Sequence, residues 1–326
     1  MVKFIMRRLL IMIPLLLIIS IISFALIQLP PGDYLSSYIA QLEQSNREVS
    51  KELAMSLRHR YGLDDPFHVQ YFKWITGIFQ GDFGYSFEHN RPVGELIGER
   101  LLLTILITFA TTLFTWVVAF PIGVYSAIKQ YSVGDYFFTF LGFIGLATPN
   151  FMLALILMFV GYKFWGLSVG GLFSMQYINA DWSLAKFIDL LQHLWIPVVV
   201  IGTAGTASMI RIMRANLLDE LNKPYVTTAR AKGLAEWKLI LKYPVRVALN
   251  PFISTIGWMI PRLVSGSTIT AVVLSLPTTG PLLLEALRNQ DMYLAGSFIL
   301  FLSSLTIVGT LISDILLAWL DPRIRY

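Results

Sequence analysis

Residues 225–251, YVTTARAKGLAEWKLILKYPVRVALNP, form the longest basic stretch of a very apolar chain, and they lie between two runs long enough to cross a bilayer. Val226, Ala229, Gly233, Leu234, Trp237, Ile240 and Leu241 recur at spacings of three and four, the period of a helix with one apolar face. Arg230, Lys232, Glu236, Lys238 and Lys242 occupy the other face. A glycine in mid-helix costs about 1 kcal/mol relative to alanine, so Gly233 signals a closely approaching partner backbone or a bend between two short helices. Pro244 ends the pattern, and Pro251 precedes the next apolar run. A positive cytoplasmic loop kept for topology would look similar in period alone.

The composition around this stretch is that of a membrane protein. The 326 residues are 56% hydrophobic and 14% charged, whereas soluble domains carry about 25% charged residues. Cysteine is absent, which removes disulfides, thiolate metal sites and cysteine nucleophiles together. The net charge of +5 does not speak for nucleic acid until the basic residues are placed.

Taken in order, the chain predicts an all-α membrane protein with six transmembrane helices and both ends inside. Lys3, Arg7 and Arg8 precede an apolar run from Leu9 to Leu29, longer than a signal-peptide core and without a small-residue cleavage site. A retained first span, within residues 1–30, is the expectation. Residues 31–100 form a polar external segment, with a helix over Val49–Tyr61, a short amphipathic piece over Val69–Phe79 and a turn at Gly81–Gly84. Its carboxylate pairs, Asp64 with Asp65 and Asp82 with Glu88, suit turns and caps better than acid–base work. Residues 101–326 carry the remaining spans: Leu101–Ile128, Tyr136–Tyr162, Leu191–Met213, Phe252–Leu276 and Leu294–Leu320. Pro149 breaks the third span near its middle, which protein or a watery cavity must compensate. Gly202, Ala204, Gly205, Ala207 and Ser208 suit close helix packing in the fourth. Trp165, Trp182 and Trp195 fall where an interfacial belt belongs, and His193 stands alone at the outer end of the fourth span.

Several of these stretches resemble one family. Ala229–Gly233 (ARAKG), then Ile240 and Pro244, is similar to the EAA loop of ABC importer permeases, although the consensus glutamate is not matched. Tyr61–Trp74 (YGLDDPFHVQYFKW), Gly81–Ser86 (GDFGYS), Pro92-Val93 and Glu95–Ile97 resemble the external region of peptide/nickel-type permeases. Gly145–Phe151 (GLATPNF) resembles a motif of their third span, and Asp321–Tyr326 (DPRIRY) their C-terminus. The resemblance covers nearly the whole chain.

It implies a permease subunit of a binding-protein-dependent importer in a prokaryotic cell membrane. The implied partners are a homologous second permease, two ABC ATPase subunits, an extracytoplasmic solute-binding protein and the lipid bilayer, with no nucleic acid. ATP and Mg would be bound by the ATPases, and this chain would hold no cofactor and no metal. Loop 214–251 would be the coupling element, with Tyr225, Ala229, Arg230, Ala231, Lys232, Gly233, Leu234, Trp237 and Ile240 at the docking site. The family's cargoes are short peptides, oligosaccharides and nickel complexes. Peptide ranks first, and nickel last, because the spans offer no His or carboxylate cluster.

The charges agree with this topology. Inside fall Lys3, Arg7, Arg8, Lys129, Arg211, Arg214, Lys223, Arg230, Lys232, Lys238, Lys242, Arg246, Arg323 and Arg325, against Lys163, Lys186 and Arg288 in short outside loops. The long external segment carries Arg47, Lys51, Arg58, Arg60, Lys73, Arg91 and Arg100, but segments of that size translocate largely regardless of charge. Arg262 is the exception, near the middle of the fifth span, where arginine costs about 2.5–3.5 kcal/mol on insertion scales. It is expected to line the pathway, together with Pro149, or to pair structurally. Family members mostly carry small or apolar residues near Arg262, and many have Glu where Ala271 stands. No GxxxxGK[ST], HExxH or GxSxG occurs, so the chain is not an enzyme by any of these signatures. A proton-coupled secondary transporter would need more intramembrane acids than Asp314.

Overall fold

A computed structural model of the chain describes residues 2–28, 65–86, 88–166, 170–178, 180–255, 268–289 and 291–320. The helices are α1 Val2–Gln28, α2 Phe67–Phe79, α3 Val93–Ile128, α4 Val133–Ala147, α5 Asn150–Trp165 and α6 Leu184–Leu221, then α7 Pro224–Ala231, α8 Glu236–Lys242, α9 Pro244–Ala248, α10 Asn250–Ser254, α11 Thr268–Val273, α12 Thr279–Arg288 and α13 Met292–Leu320. One antiparallel pair, β1 Tyr85–Ser86 with β2 Arg91–Pro92, is the only sheet among the described residues. The fold is all-α, as composition and period require.

Four described helices are long and apolar enough to cross a bilayer: Met6–Leu26, Val93–Ile128, Leu184–Leu221 and Tyr293–Leu316. The third expected span is instead two helices, Val133–Ala147 and Asn150–Phe164, meeting at 102°. Pro149 stands at the break, because its ring forbids the preceding residue the helical conformation, and Thr148 is accordingly extended (φ −86°, ψ 119°). Thr148 closes the end of α4 by donating both its N–H (3.0 Å) and its Oγ1 hydrogen (2.8 Å) to Ile144 O. The middle of the fifth expected span, with Arg262, lies outside the described residues, as do the expected helix over Val49–Tyr61 and the C-terminal Asp321–Tyr326. The fourth span is longer than its apolar run suggested, since α6 continues for 38 residues.

The chain divides into two compact units, one of Met1–Ile5, Leu103–Pro277 and Val308–Tyr326, the other of Met6–Leu102 and Thr278–Ile307. In the first, α6 is the hub, packing against α4, α5 and α9. Its small residues make this possible. A Cβ on Gly202 would meet Phe114 Cδ1 of α3 at 2.7 Å, and one on Gly145 of α4 would meet Thr203 Cγ2 of α6 at 2.8 Å. Gly123 of α3 lies equally close to Met213, where a Cβ would meet the Met213 Cβ at 2.6 Å. Near the other end of α6, Asp189 accepts from the Ser174 amide (2.8 Å) and hydroxyl (2.5 Å). His193 is not solitary there, since its Nδ1 lies 2.8 Å from Asp189 O. Lys186 donates to Ala180 O at 2.5 Å beneath the rings of Phe173 and Trp182.

In the second unit, α2 presents Trp74 to Phe24 of α1 and donates from Trp74 Nε1 to Ser297 Oγ of α13 at 3.3 Å. The expected amphipathic piece and turn are both there. Asp82 Oδ1 accepts from Gly84 N–H at 2.9 Å, the local turn bond expected of that carboxylate. Val93, Leu96 and Ile97 of α3 pack with Leu282 and Ala286 of α12 and with Leu294 and Phe298 of α13.

The contact at Gly202 yields the first prediction. Gly202→Val forces extra methyl groups against Phe114 and is expected to cost about 1–3 kcal/mol. Thermal unfolding of the purified chain should show a lowered midpoint, whereas Ala204→Val, at a partly exposed position of the same helix, should be milder.

Candidate coupling surface

The stretch after α6 folds as four short helices, α7 to α10. Of the two meanings of Gly233, the bend is the one found. Gly233 has φ +77°, and a Cβ placed on it would meet nothing within 4 Å. The glycine is required by its backbone angle and not, within this chain, by close approach. Its surroundings form a Schellman stop: Leu234 N–H donates to Ala229 O (3.5 Å) and Gly233 N–H to Arg230 O (3.0 Å). Helix α8 then restarts at Glu236.

The restart resets the helical phase, which corrects the single apolar face read from spacing. Val226, Ala229 and Ile240 are buried as expected, together with Leu239, which the spacing passed over. They share one core with Ala119 and Ala127 of α3 and with Met209, Ile210, Met213 and Leu217 of α6, while Leu234 packs at its edge. Trp237 (63% exposed) and Leu241 (51% exposed) turn outward instead. Val245, Ala248 and Phe252 complete the inner face. Phe252 meets Trp116 and Phe120 of α3 edge to face at ring separations of 6.2 and 6.5 Å.

The outer face is aromatic and basic. Arg230 forks onto Glu236, donating from Nε to Oε2 (3.0 Å) and from Nη2 to Oε1 (2.5 Å), and so ties α7 to α8 across the Gly233 bend. The hydrogen bonds from Arg230 hold the Glu236 carboxyl below the usual carboxylate range. Both partners are half-exposed and screened by water, so the pair adds little to stability. Lys238 lies over the Trp237 ring at 5.3 Å. Tyr225 donates its hydroxyl to Glu220 Oε2 at 2.6 Å. Partial burial, aided by that carboxylate, pushes the phenol well above its ordinary range, so it stays a donor. Ala231 and Lys232 lie exposed at the end of α7.

The root of the lobe holds a pair that the sequence reading left unassigned. Arg214 of α6 donates from Nε to Asp135 Oδ1 (2.9 Å) and from Nη2 to Asp135 Oδ2 (2.8 Å). Asp135 is almost fully buried at the start of α4 and also accepts from Tyr131 N–H at 2.9 Å. Ser132 caps that helix by accepting from Asp135 N–H at 3.2 Å. The Ser-x-x-Asp spacing was the available signal, since it marks a helix start with its carboxylate in the first turn. The two expected pathway residues are not brought together among the described residues: Pro149 marks the α4–α5 break, and Arg262 is not described.

Long apolar helices joined by a compact lobe with an apolar inner face and an aromatic–basic outer face are the features of a multi-spanning membrane protein. The family model for binding-protein-dependent transport system inner membrane components matches residues 119–326, and that for the N-terminal region of such components matches residues 1–108. Over the full length of both chains, the sequence is 38% identical to the oligopeptide transport system permease protein AppB of Bacillus subtilis (strain 168). It is 30% identical to the dipeptide transport system permease protein DppB of Escherichia coli (strain K12), covering 100% of this chain and 99% of the relative. It is 31% identical to the glutathione transport system permease protein GsiC of Salmonella paratyphi A, over the full length of both. The chain belongs to the family of binding-protein-dependent transport system inner membrane components, the permease subunits of ABC importers.

Gly233 generates the second prediction. A β-branched residue at φ +77° pays about 1–2 kcal/mol, so Gly233→Val should unravel the end of α7 and speed hydrogen exchange of the 229–234 amides. Gly233→Asn, which tolerates that angle, should exchange nearly as the native chain does.

Proposed function

We propose that this permease carries short peptides, and that its outer coupling face, centred on Trp237 with Tyr225, Arg230, Lys232, Lys238 and Leu241, docks on an ATP-hydrolysing subunit. The observation that carries the docking reading is the exposure of Trp237 and Leu241 on a lobe whose other face is fully committed to the core of the permease. Aromatic and cationic side chains grouped at a solvent face are what protein interfaces use as anchors. Ala229, Leu234 and Ile240 serve the same surface from beneath, by fixing α7 and α8 to the spans. Gly233 and Ala231 keep its middle low enough for a partner backbone.

Peptide cargo is supported by the relatives, whose names specify oligopeptide, dipeptide and glutathione transport. Oligosaccharide and nickel-complex cargoes rank below it. The assembly pairs this chain with a second, homologous permease, two ATPases that bind ATP and Mg, and an extracytoplasmic solute-binding protein. Both chain ends and the 214–251 lobe face the cytoplasm, in keeping with the excess of Lys and Arg in those segments. ATP binds more tightly to one arrangement of the assembly than to the other and thereby shifts the permease between inward- and outward-facing states. Arg262 and the Pro149 break line the route of the solute.

Two substitutions separate the roles. Trp237→Ala should reduce co-purification of the ATPases by about 10-fold or more while membrane insertion is unchanged; undiminished recovery would remove the docking site from this face. Arg262→Ala should lower peptide uptake and leave the assembly intact, and uptake at the native rate would end its pathway role. Mass spectrometry of the gently purified native complex tests the whole reading. A second permease, ATPases and a bound peptide are expected; the chain alone under every detergent condition argues for a self-sufficient transporter.

A further inference from the structure

We infer that Glu88, His89 and Glu285 form a binding site for one divalent transition cation, of which Zn2+ is the representative. Glu88 and His89 lie in the turn between β1 and β2, and Glu285 lies on α12. One ligand atom from each comes within 4.8 Å of the other two. All three belong to the same compact unit.

Glu88 Oε2 and His89 Nε2 are each buried without a hydrogen-bond partner among the described residues. A buried acceptor or ring nitrogen left unpaired costs stability and calls for an occupant. Two unpaired buried atoms on neighbouring residues of this cluster would both be satisfied by one cation. Nearby charge does not substitute for it, since Arg91 in the same hairpin is spent on Glu95 (3.3 Å) and Glu99 (2.6 Å).

The turn is held in advance. Ser86 donates its hydroxyl to the buried Asp291 at 2.5 Å and accepts from His89 N–H at 3.2 Å. Asn289, just beyond α12, donates to Glu88 Oε1 and leaves Oε2 for the ion. This fixed second layer orients the ligands. One imidazole with two carboxylates suits Zn2+ and its neighbours better than Ca2+ or Mg2+, which prefer oxygen alone. Donors around a tetrahedral Zn2+ stand about 2.0–2.1 Å from it, with water free to take the fourth position. Reaching that spacing would draw the three ligand atoms closer together, and exposed Glu285 has room to move toward the other two. The ion would tie the β1–β2 turn to α12, and nothing in this role requires it to be cargo.

The test uses the full-length chain, purified on a tag without histidine, stripped with chelator and titrated with Zn2+ by calorimetry. One ion per chain is expected, with a raised melting temperature on binding. Both His89→Ala and Glu285→Gln should weaken binding by about 10-fold or more, and His193→Ala should leave it unchanged. Glu285 is exposed, so Glu285→Gln should melt as the native chain does without metal, which separates lost ligation from lost folding. No saturable one-site binding by the native chain, or undiminished binding by either ligand variant, overturns the site. Because the readout is ion binding and not uptake, its failure leaves the transport reading untouched.

Discussion

Lipid is as apolar as leucine, so burying apolar side chains cannot by itself bring helices together in a bilayer. Association must come from close packing of backbones and from polar groups that find one another. Helix α6 is built on that constraint. Gly202, with no side chain, lets Phe114 of α3 lie against the helix backbone, and Gly145 and Gly123 of the neighbouring helices do the same from their side. The polar component is the Arg214–Asp135 pair, with both carboxylate oxygens occupied and a capped helix start behind it. Asp135 is the buried member and Arg214 the partly exposed one, so removing Arg214 would leave a buried carboxylate without its countercharge.

The lobe extends the same packing beyond the spans. Its inner residues, Val226, Ala229, Leu239, Ile240, Val245 and Phe252, enter a core that already contains α3 and α6. Burying a Val, Leu, Ile or Phe side chain contributes about 1.5–3 kcal/mol each, far more than the exposed Arg230–Glu236 fork. The lobe is therefore mechanically part of these helices and not a tethered loop. Its outer residues, Trp237 among them, take no part in that core.

Much of this was legible in the amino-acid sequence. Apolar run length located α1, α3, α6 and α13, and the aromatic piece before Gly81 located α2. The basic lobe declared itself by charge, and the family by ARAKG and GDFGYS. Three features were hidden for physical reasons. A period of 3.6 assumes an unbroken helix, so the αL turn at Gly233 moved Trp237 outward and Leu239 inward. The bend at Pro149 was visible, but its 102° angle depends on packing around α4 and α5 that no local rule encodes. The Arg214–Asp135 pair joins residues far apart in sequence, and Glu285 meets Glu88 and His89 only because α12 packs against the start of α3.

The length of α6 has a mechanical meaning. Its 38 residues extend about 57 Å at 1.5 Å each, nearly twice the roughly 30 Å of hydrocarbon it crosses. Pro197, lacking an N–H to give its preceding turn, weakens the rod toward the Asp189 end and leaves an arm of roughly 36 Å reaching to Leu221. A flexure of about 5° at that proline carries the far tip by roughly 3 Å. The length of the helix thus sets how far any bend at Pro197 would be magnified at the Leu221 end.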